Sequence, residues 1–226
     1  MDSLRNVLTL VLLLLLPLAG CGERAAKSVE REQEPGPVPP GWTRLFDGVS
    51  LKNWAETDFG GQGKVEVRDG TLILGQGGDL TGVTWAGGEF PTTNFEISLQ
   101  AARIEGQDFF CGMTFPVKDS FCSLIVGGWA GSIVGLSSVD DLDASENETT
   151  RSIDFENGRW YTIQLRVTDN AIEAWIDGQP VIRQALAGRE ISIRPEVGLS
   201  CPFGIASWRT KAALRDIRLR TLNGTR

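Results

Sequence analysis

The sequence contains no histidine. A histidine general base, a Ser-His-Asp triad and a histidine-ligated zinc are excluded by that inventory. Acid–base chemistry therefore falls to carboxylates, assisted by Lys, Arg or the single tyrosine, Tyr161. Basic clusters are missing as well. With a formal net charge of −7 and no concentration of Lys and Arg, no nucleic-acid partner is expected, because phosphate binding depends on such clusters. The apolar run from Val7 to Ala19 falls short of the roughly 20 residues a membrane-spanning helix needs. No helical period persists through the body of the chain.

Cysteine is scarce: Cys21, Cys111, Cys122 and Cys201. Setting Cys21 aside leaves three thiols, so at most one pair can form. A hairpin with Pro116 to Ser120 as its loop would set Phe115 opposite Phe121 and Cys111 opposite Ile125. In that register Cys111 and Cys122 point to opposite faces and cannot be bridged. Buried free thiols are the expectation, since cysteine packs as a small hydrophobe.

What is abundant is the equipment of turns and strands, 27 Gly and 10 Pro. The clearest stretch is Asn157 to Ile182, which spells three antiparallel strands joined by tight turns. Apolar residues alternate through Ile163, Leu165 and Val167, Asp169-Asn170 turns the chain, and Ile172, Ala174 and Ile176 alternate again. Asp177-Gly178 then supplies the positive φ values of a two-residue hairpin turn. The far face of this meander carries Trp175 beside Glu173 and Asp177. That face is expected to be open, and to be the first place to look for function. Further strands are expected at 64–68, 71–75, 83–85, 95–103, 109–115, 121–126, 132–136, 152–155, 191–199 and 212–220. A dozen or so strands suffice for two packed sheets, an all-β sandwich, in a chain long enough for one such domain with extensions.

Residues 1–21 resemble a bacterial lipoprotein signal peptide, with Arg5, the apolar run and the lipobox Leu18-Ala19-Gly20-Cys21. The resemblance implies cleavage before Cys21 and lipidation of its thiol. The chain would then sit in the cell envelope, anchored to a bacterial membrane by lipid alone. Residues 22–40 are charged and then proline-rich, as in a tether.

From residue 41 a second resemblance emerges. Leu45-Phe46-Asp47-Gly48 followed by Leu51-Lys52-Asn53-Trp54 opens it. The strand pair from Val65 to Leu72, the N-F-E-I-S-L at Asn94 to Leu99, the G-R-W-Y-T-I at Gly158 to Ile163, the W-I-D-G at Trp175 to Gly178 and the L-R-D-I-R-L at Leu214 to Leu219 continue it in order. Over about 41–222 this is similar to the 3-keto-disaccharide hydrolase-like family, which implies a concanavalin A-like jelly roll. The resemblance implies action on glycosides whose C3 hydroxyl has become a ketone, which makes the glycosidic bond labile through proton abstraction. The family pattern sets an N-S-G-like segment, a Tyr-Glu and a His on successive strands. The matching segments here are Gly106 to Gly112, Cys122 to Ile125 and Ser207-Trp208-Arg209, without the Glu and the His.

Other carboxylates are therefore the catalytic candidates. Asp58 and Asp79 lie in Gly-rich loops near Trp54 and Trp85 in sequence, and Asp108 opens a strand. Carboxylates beside aromatics can grip sugar hydroxyls and the apolar face of a pyranose, although Gly-Asp is also common turn chemistry. Trp129, within a Gly-rich hairpin, and Trp208-Arg209 complete the candidate substrate contacts together with Trp54 and Trp85. Asp140, Asp141, Asp143, Glu146 and Glu148 crowd one loop. They could ligate calcium, or the loop could be a solvated acidic one. Two functions compete: a hydrolase or eliminating enzyme using carboxylates, and a non-catalytic glycan-binding or laminin G-like adhesion module. Two of the three aspartates meeting in one cleft with Trp129 or Trp208, at about 5–10 Å, would favour the enzyme. Scatter around the rim would favour binding.

Overall fold

The computed structural model describes residues 37–222. Cys21, the signal segment and most of the 22–40 tether lie outside them.

Two antiparallel sheets form the expected sandwich. The eight-stranded sheet runs, in spatial order, β13 (Gln179–Ala185), β12 (Ala171–Ile176), β11 (Tyr161–Val167), β6 (Phe95–Glu105), β15 (Lys211–Thr221), β4 (Thr71–Leu74) and β3 (Val65–Arg68). The short β1 (Thr43–Arg44) pairs with β15 as well. The seven-stranded sheet runs β10 (Arg151–Ser152), β9 (Ile133–Ser137), β8 (Ser120–Gly128), β7 (Cys111–Val117), β14 (Gly204–Trp208), β5 (Leu80–Trp85) and β2 (Trp54–Glu56). Strands alternate strictly where one face is buried: Tyr161, Ile163, Leu165 and Val167 turn inward on β11 and meet Met113, Phe115, Leu124 and Ile205 in a single core. Burial of that apolar area is what holds the two sheets together.

The meander forms as read, with Asp177 at φ 49° and Gly178 at φ 76° in the turn. Its far face is not an open site. Arg166 lies over the Trp175 ring at 5.1 Å and bridges to Glu173. Trp42 and Trp160 are half-buried on that outer face, with Arg220 and Arg215 stacked at 4.7 Å and 4.0 Å. Planar guanidinium groups cover these rings and keep their own charge in water.

The β7–β8 hairpin differs from the expected register by one residue. Its loop is only Lys118-Asp119, so Val117 pairs with Ser120, Phe115 with Cys122 and Cys111 with Val126. Cys111 and Cys122 therefore share the inward face. They are still free, for a different reason: Cys122 lies opposite Phe115, four residues along the strand from Cys111, about 13 Å at the usual rise. Burial pushes both thiols up to about 12, so neither is a nucleophile.

The stretch expected as a strand over 191–199 is instead an irregular crossing that ends in the 3₁₀ helix Pro195–Ser200. Pro195 has no N–H to give a ladder. β14 lies inside the sheet, between β7 and β5.

Candidate functional site

A cleft of about 220 Å³ lies on the outer face of the seven-stranded sheet. Its floor comes from side chains that alternate away from the core, Ser123 and Ile125 on β8, Ser137 on β9 and Leu80 on β5. Ser123 exchanges a hydrogen bond with Thr114 at 2.8 Å. Ile125 is flanked in register by Gly112 on one side and Gly135 on the other. Both glycines are required by what lies on them. A Cβ at Gly112 would come within 2.7 Å of the Phe109 ring, and one at Gly135 within 2.5 Å of the Ala144 carbonyl oxygen. Phe109 and the 140–150 loop thus rest directly on the sheet, while the 3₁₀ helix packs onto Gly204, where a Cβ would meet Ser200 at 2.7 Å. These covers leave one compact cleft, smaller than the roughly 300–1,000 Å³ of drug-sized pockets.

The walls are aromatic and charged. Phe109 and Trp208 stand with ring centroids 6.5 Å apart and planes tilted by 34°. Trp129, 41% exposed, rises from the turn after β8 with φ 47°, followed by Ala130 at φ 65°. Two consecutive non-glycine residues in the left-handed region are a local strain held by the surroundings. Asp108 lines the cleft, its Oδ1 accepting from the Phe109 N–H at 2.8 Å and its own N–H donating to Thr210 Oγ1 at 3.1 Å. Arg194, Glu196 and Val197 close the remaining side. Arg194 donates to Glu196 Oε1 at 2.8 Å and to Asp143. That hydrogen bond from Arg194 holds the Glu196 carboxyl below the usual range, so Glu196 is an ionised acceptor at neutral pH and a poor general acid.

The three catalytic candidates separate. Of Asp58, Asp79 and Asp108, only Asp108 reaches the cleft. Asp79 is clamped by Arg209, whose Nε and Nη2 donate to Asp79 Oδ1 at 2.9 and 2.7 Å. Both groups are more than half exposed, so the pair contributes about 0–1 kcal/mol. Arg209 also lies 5.4 Å from the Trp208 ring centre, backing that residue instead of contacting the cleft. Asp58 is exposed and accepts from Gln62 Nε2 at 3.1 Å, elsewhere on the surface.

The tryptophans divide in the same way. Trp129 and Trp208 line the cleft. Trp54 is core: it is 5% exposed, donates its Nε1–H to the Leu45 carbonyl at 3.0 Å and packs edge-on against Trp85 at 5.5 Å. Trp85 donates to the Gly88 carbonyl at 3.1 Å and joins the Phe90–Phe203 cluster. Their indoles finish the sandwich end and do not line the cleft.

The acidic loop is organised by arginines and one buried amide. Asn147, 8% exposed, donates to the carbonyls of Leu136, Leu142 and Asp143. Arg189 bridges Asp140 at 2.5 Å and Glu148 at 2.6 Å, and Arg194 takes Asp143. Asp141 sits exposed at φ 62°, and Glu146 is exposed too. Among the described residues no group of three or more Asp, Glu, Cys or His is gathered as a metal site. Asp140, Asp143 and Glu148 are paired with guanidinium groups, which relieves the repulsion in the loop. Asp140 is held below its ordinary range by the Glu190 backbone amide and then by Arg189. The stability it contributes is present above about pH 4 and lost as pH falls through the depressed value. Millimolar calcium is expected to move the melting temperature by about a degree or less, as matched sodium chloride would. A calcium-specific rise above about 5 °C, abolished by Asp141→Asn with Asp143→Asn, would restore the metal.

Sequence reasoning missed Arg194 and Glu196, on the crossing expected as a strand, and it missed Ser137. The three segments matched to the family's motif positions nevertheless converge here: Asp108 with Phe109, Ser123 with Ile125, and Trp208 all line the one cleft.

Comparison with known proteins bears on the family and the fold. The family described as the 3-keto-alpha-glucoside-1,2-lyase-like domain matches residues 41–220. No curated protein matches the chain. Among solved structures, Crh5 transglycosylase in complex with NAG is similar at TM-score 0.57 and 13% identity, covering 81% of this chain and 85% of its own. A Parabacteroides distasonis protein assigned as a glycosyl hydrolase is similar at TM-score 0.53 and 13% identity, covering 81% and 94%. SCLam, a non-specific endo-beta-1,3(4)-glucanase, is similar at TM-score 0.51 and 11% identity, covering 84% and 95%. At these identities the structural likenesses establish the jelly-roll fold.

Proposed function

Because this chain belongs to the 3-keto-disaccharide hydrolase family, whose domain is described as 3-keto-alpha-glucoside-1,2-lyase-like, we propose that it is a carbohydrate-binding domain. We place its ligand site in the cleft between Trp129, Trp208 and Phe109. The observation that carries this reading is the cleft's composition. Three aromatic side chains stand over a floor that holds Ser123 and Ser137, and Asp108 is the one candidate aspartate present. Aromatic faces match the apolar face of a sugar ring, and the hydroxyl and carboxylate groups match its rim. With Asp79 and Asp58 elsewhere and Glu196 held by Arg194, the described lining of the cleft offers Asp108 no second unpaired carboxylate for the two-carboxylate work of a glycosidase. In this reading the domain is exported and anchored by lipid on Cys21, with residues 22–40 holding it off the membrane.

Family membership and the position of Asp108 favour a second reading, elimination on a 3-keto-glycoside. The ketone acidifies the C2 hydrogen. Asp108 would take that proton as the C1–O bond breaks, leaving a 1,2-unsaturated keto sugar and an alcohol that leaves with a proton from water.

One experiment separates the readings. The full chain is titrated with mono- and disaccharides by tryptophan fluorescence, and incubated with 3-keto-glucosides while free alcohol is measured. Saturable binding without alcohol release supports the binding domain. Alcohol release that is lost in Asp108→Asn establishes the lyase, and no saturable binding to any sugar removes both.

A further inference from the structure

Resting on the reading of the cleft as a sugar site, we infer that its preferred ligand is an amino sugar carrying a protonated amine, over neutral, N-acetylated or acidic sugars. The charge of the lining decides this. Three ionisable side chains line the cleft: Asp108, Arg194 and Glu196. The guanidinium of Arg194 is already engaged on both sides, by Glu196 and by Asp143 behind it. The lining itself therefore sums to −1, and Asp143 adds a further carboxylate on the far side of Arg194. Arg209, the other cation nearby, is turned to Asp79 and the Gly78 carbonyl and does not line the cleft. A uronic acid would have to displace a carboxylate from Arg194 and approach Asp108 at like charge.

The aromatic lining points the same way. Phe109, Trp129 and Trp208 line the cleft together with Asp108, and aromatic faces attract an ammonium group in a partly desolvated cleft. An ammonium also brings three donors and no acceptor, which suits an acceptor-only carboxylate. A neutral hydroxyl can satisfy Asp108 as well, so neutral sugars are expected to bind, only more weakly. Acetylation of the amine removes the charge and with it the preference.

The test titrates the full chain, by calorimetry near neutral pH, with matched di- and trisaccharides of glucosamine, N-acetylglucosamine and glucose, and with glucuronic acid. Glucosamine oligomers are expected to bind about tenfold more tightly than the neutral and acetylated ones, with glucuronate weakest. Raised salt should shrink the advantage. In Asp108→Asn the ratio of amine to neutral affinity is expected to fall to about threefold or less. Equal affinity for the amine and acetylated series overturns the inference and leaves the sugar-site reading standing. An undiminished ratio in Asp108→Asn also overturns it. Absence of binding to every sugar ends both.

Discussion

Arg103→Leu is expected to lower the melting temperature by about 10 °C, and to loosen the cleft 28 residues away in sequence. Arg103 lies on β6 and is 7% exposed. Its guanidinium donates to the Phe155 carbonyl and Asn157 Oδ1, both at 2.6 Å, and to the Gly131 carbonyl at 3.1 Å. It also sits 5.9 Å from the Phe110 ring centre. Leucine fills part of the volume but leaves the Gly131 and Phe155 carbonyls without a donor. Each unsatisfied buried group costs about 1–3 kcal/mol. A total near 4 kcal/mol, at roughly 2–4 °C per kcal/mol for a domain of this size, gives the expected shift. The consequence for the site follows from Gly131. It closes the turn that carries Trp129, its N–H donating to the Gly128 carbonyl at 3.1 Å, and at φ 105° a Cβ there would meet Arg103 Nη1 at 2.7 Å. Hydrogen exchange in 128–131 should therefore accelerate in Arg103→Leu more than in the meander. Arg103→Lys, which can reach one carbonyl, should melt between the two. A melting temperature within about 2 °C of the parent would show that these hydrogen bonds do not hold the turn.

The fold was legible wherever one face of a strand is buried and its turn has a fixed chemistry. β11 and β12 alternate, and Asp177-Gly178 adopts the positive φ values that such a turn requires. β14 was not legible because its outward residues are Gly204 and Ala206 and its inward ones include the buried Ser207. Nothing in Gly-Ile-Ala-Ser-Trp alternates in hydropathy, although the strand lies inside the sheet. Gly204 is small because the 3₁₀ helix lies on it, a long-range fact. Pro195, which cannot donate to a ladder, argues against a strand over 191–199. The site divides along the same line. Asp108, Trp129 and Trp208 could be found because each sits beside a Gly-rich turn or in a segment that the family resemblance marks. Arg194 and Glu196 carry no motif. They become site residues only because the chain crosses back over the sheet, and their ion pairs with Asp143 and each other are visible only in three dimensions.

Removing the Trp129 side chain is expected to weaken sugar binding by about 30-fold, while the choice of replacement decides stability in a way that reveals why tryptophan is there. An exposed aromatic anchor at the centre of a small site is worth about 2 kcal/mol, and at 41% exposure its loss from the fold costs little. Trp129→Ala and Trp129→Gly should therefore bind equally poorly. They should not be equally stable. The backbone at 129 holds φ 47°, where any side chain with a Cβ costs about 1–2 kcal/mol that glycine avoids. Glycine recovers most of this, less about 0.5–1 kcal/mol for its freer unfolded chain. The Gly variant is then expected to melt about 2 °C above the Ala variant, at the usual 2–4 °C per kcal/mol. Stability alone would place glycine at this position, as it is at Gly127, Gly128 and Gly131 around it. A strained residue kept at the rim of a cleft, where relief is one substitution away, implies that its indole serves the ligand. Calorimetric titration and melting curves of both variants test the two halves separately. Retained affinity in either variant would remove Trp129 from the site, and an Ala variant as stable as the Gly one would remove the strain argument.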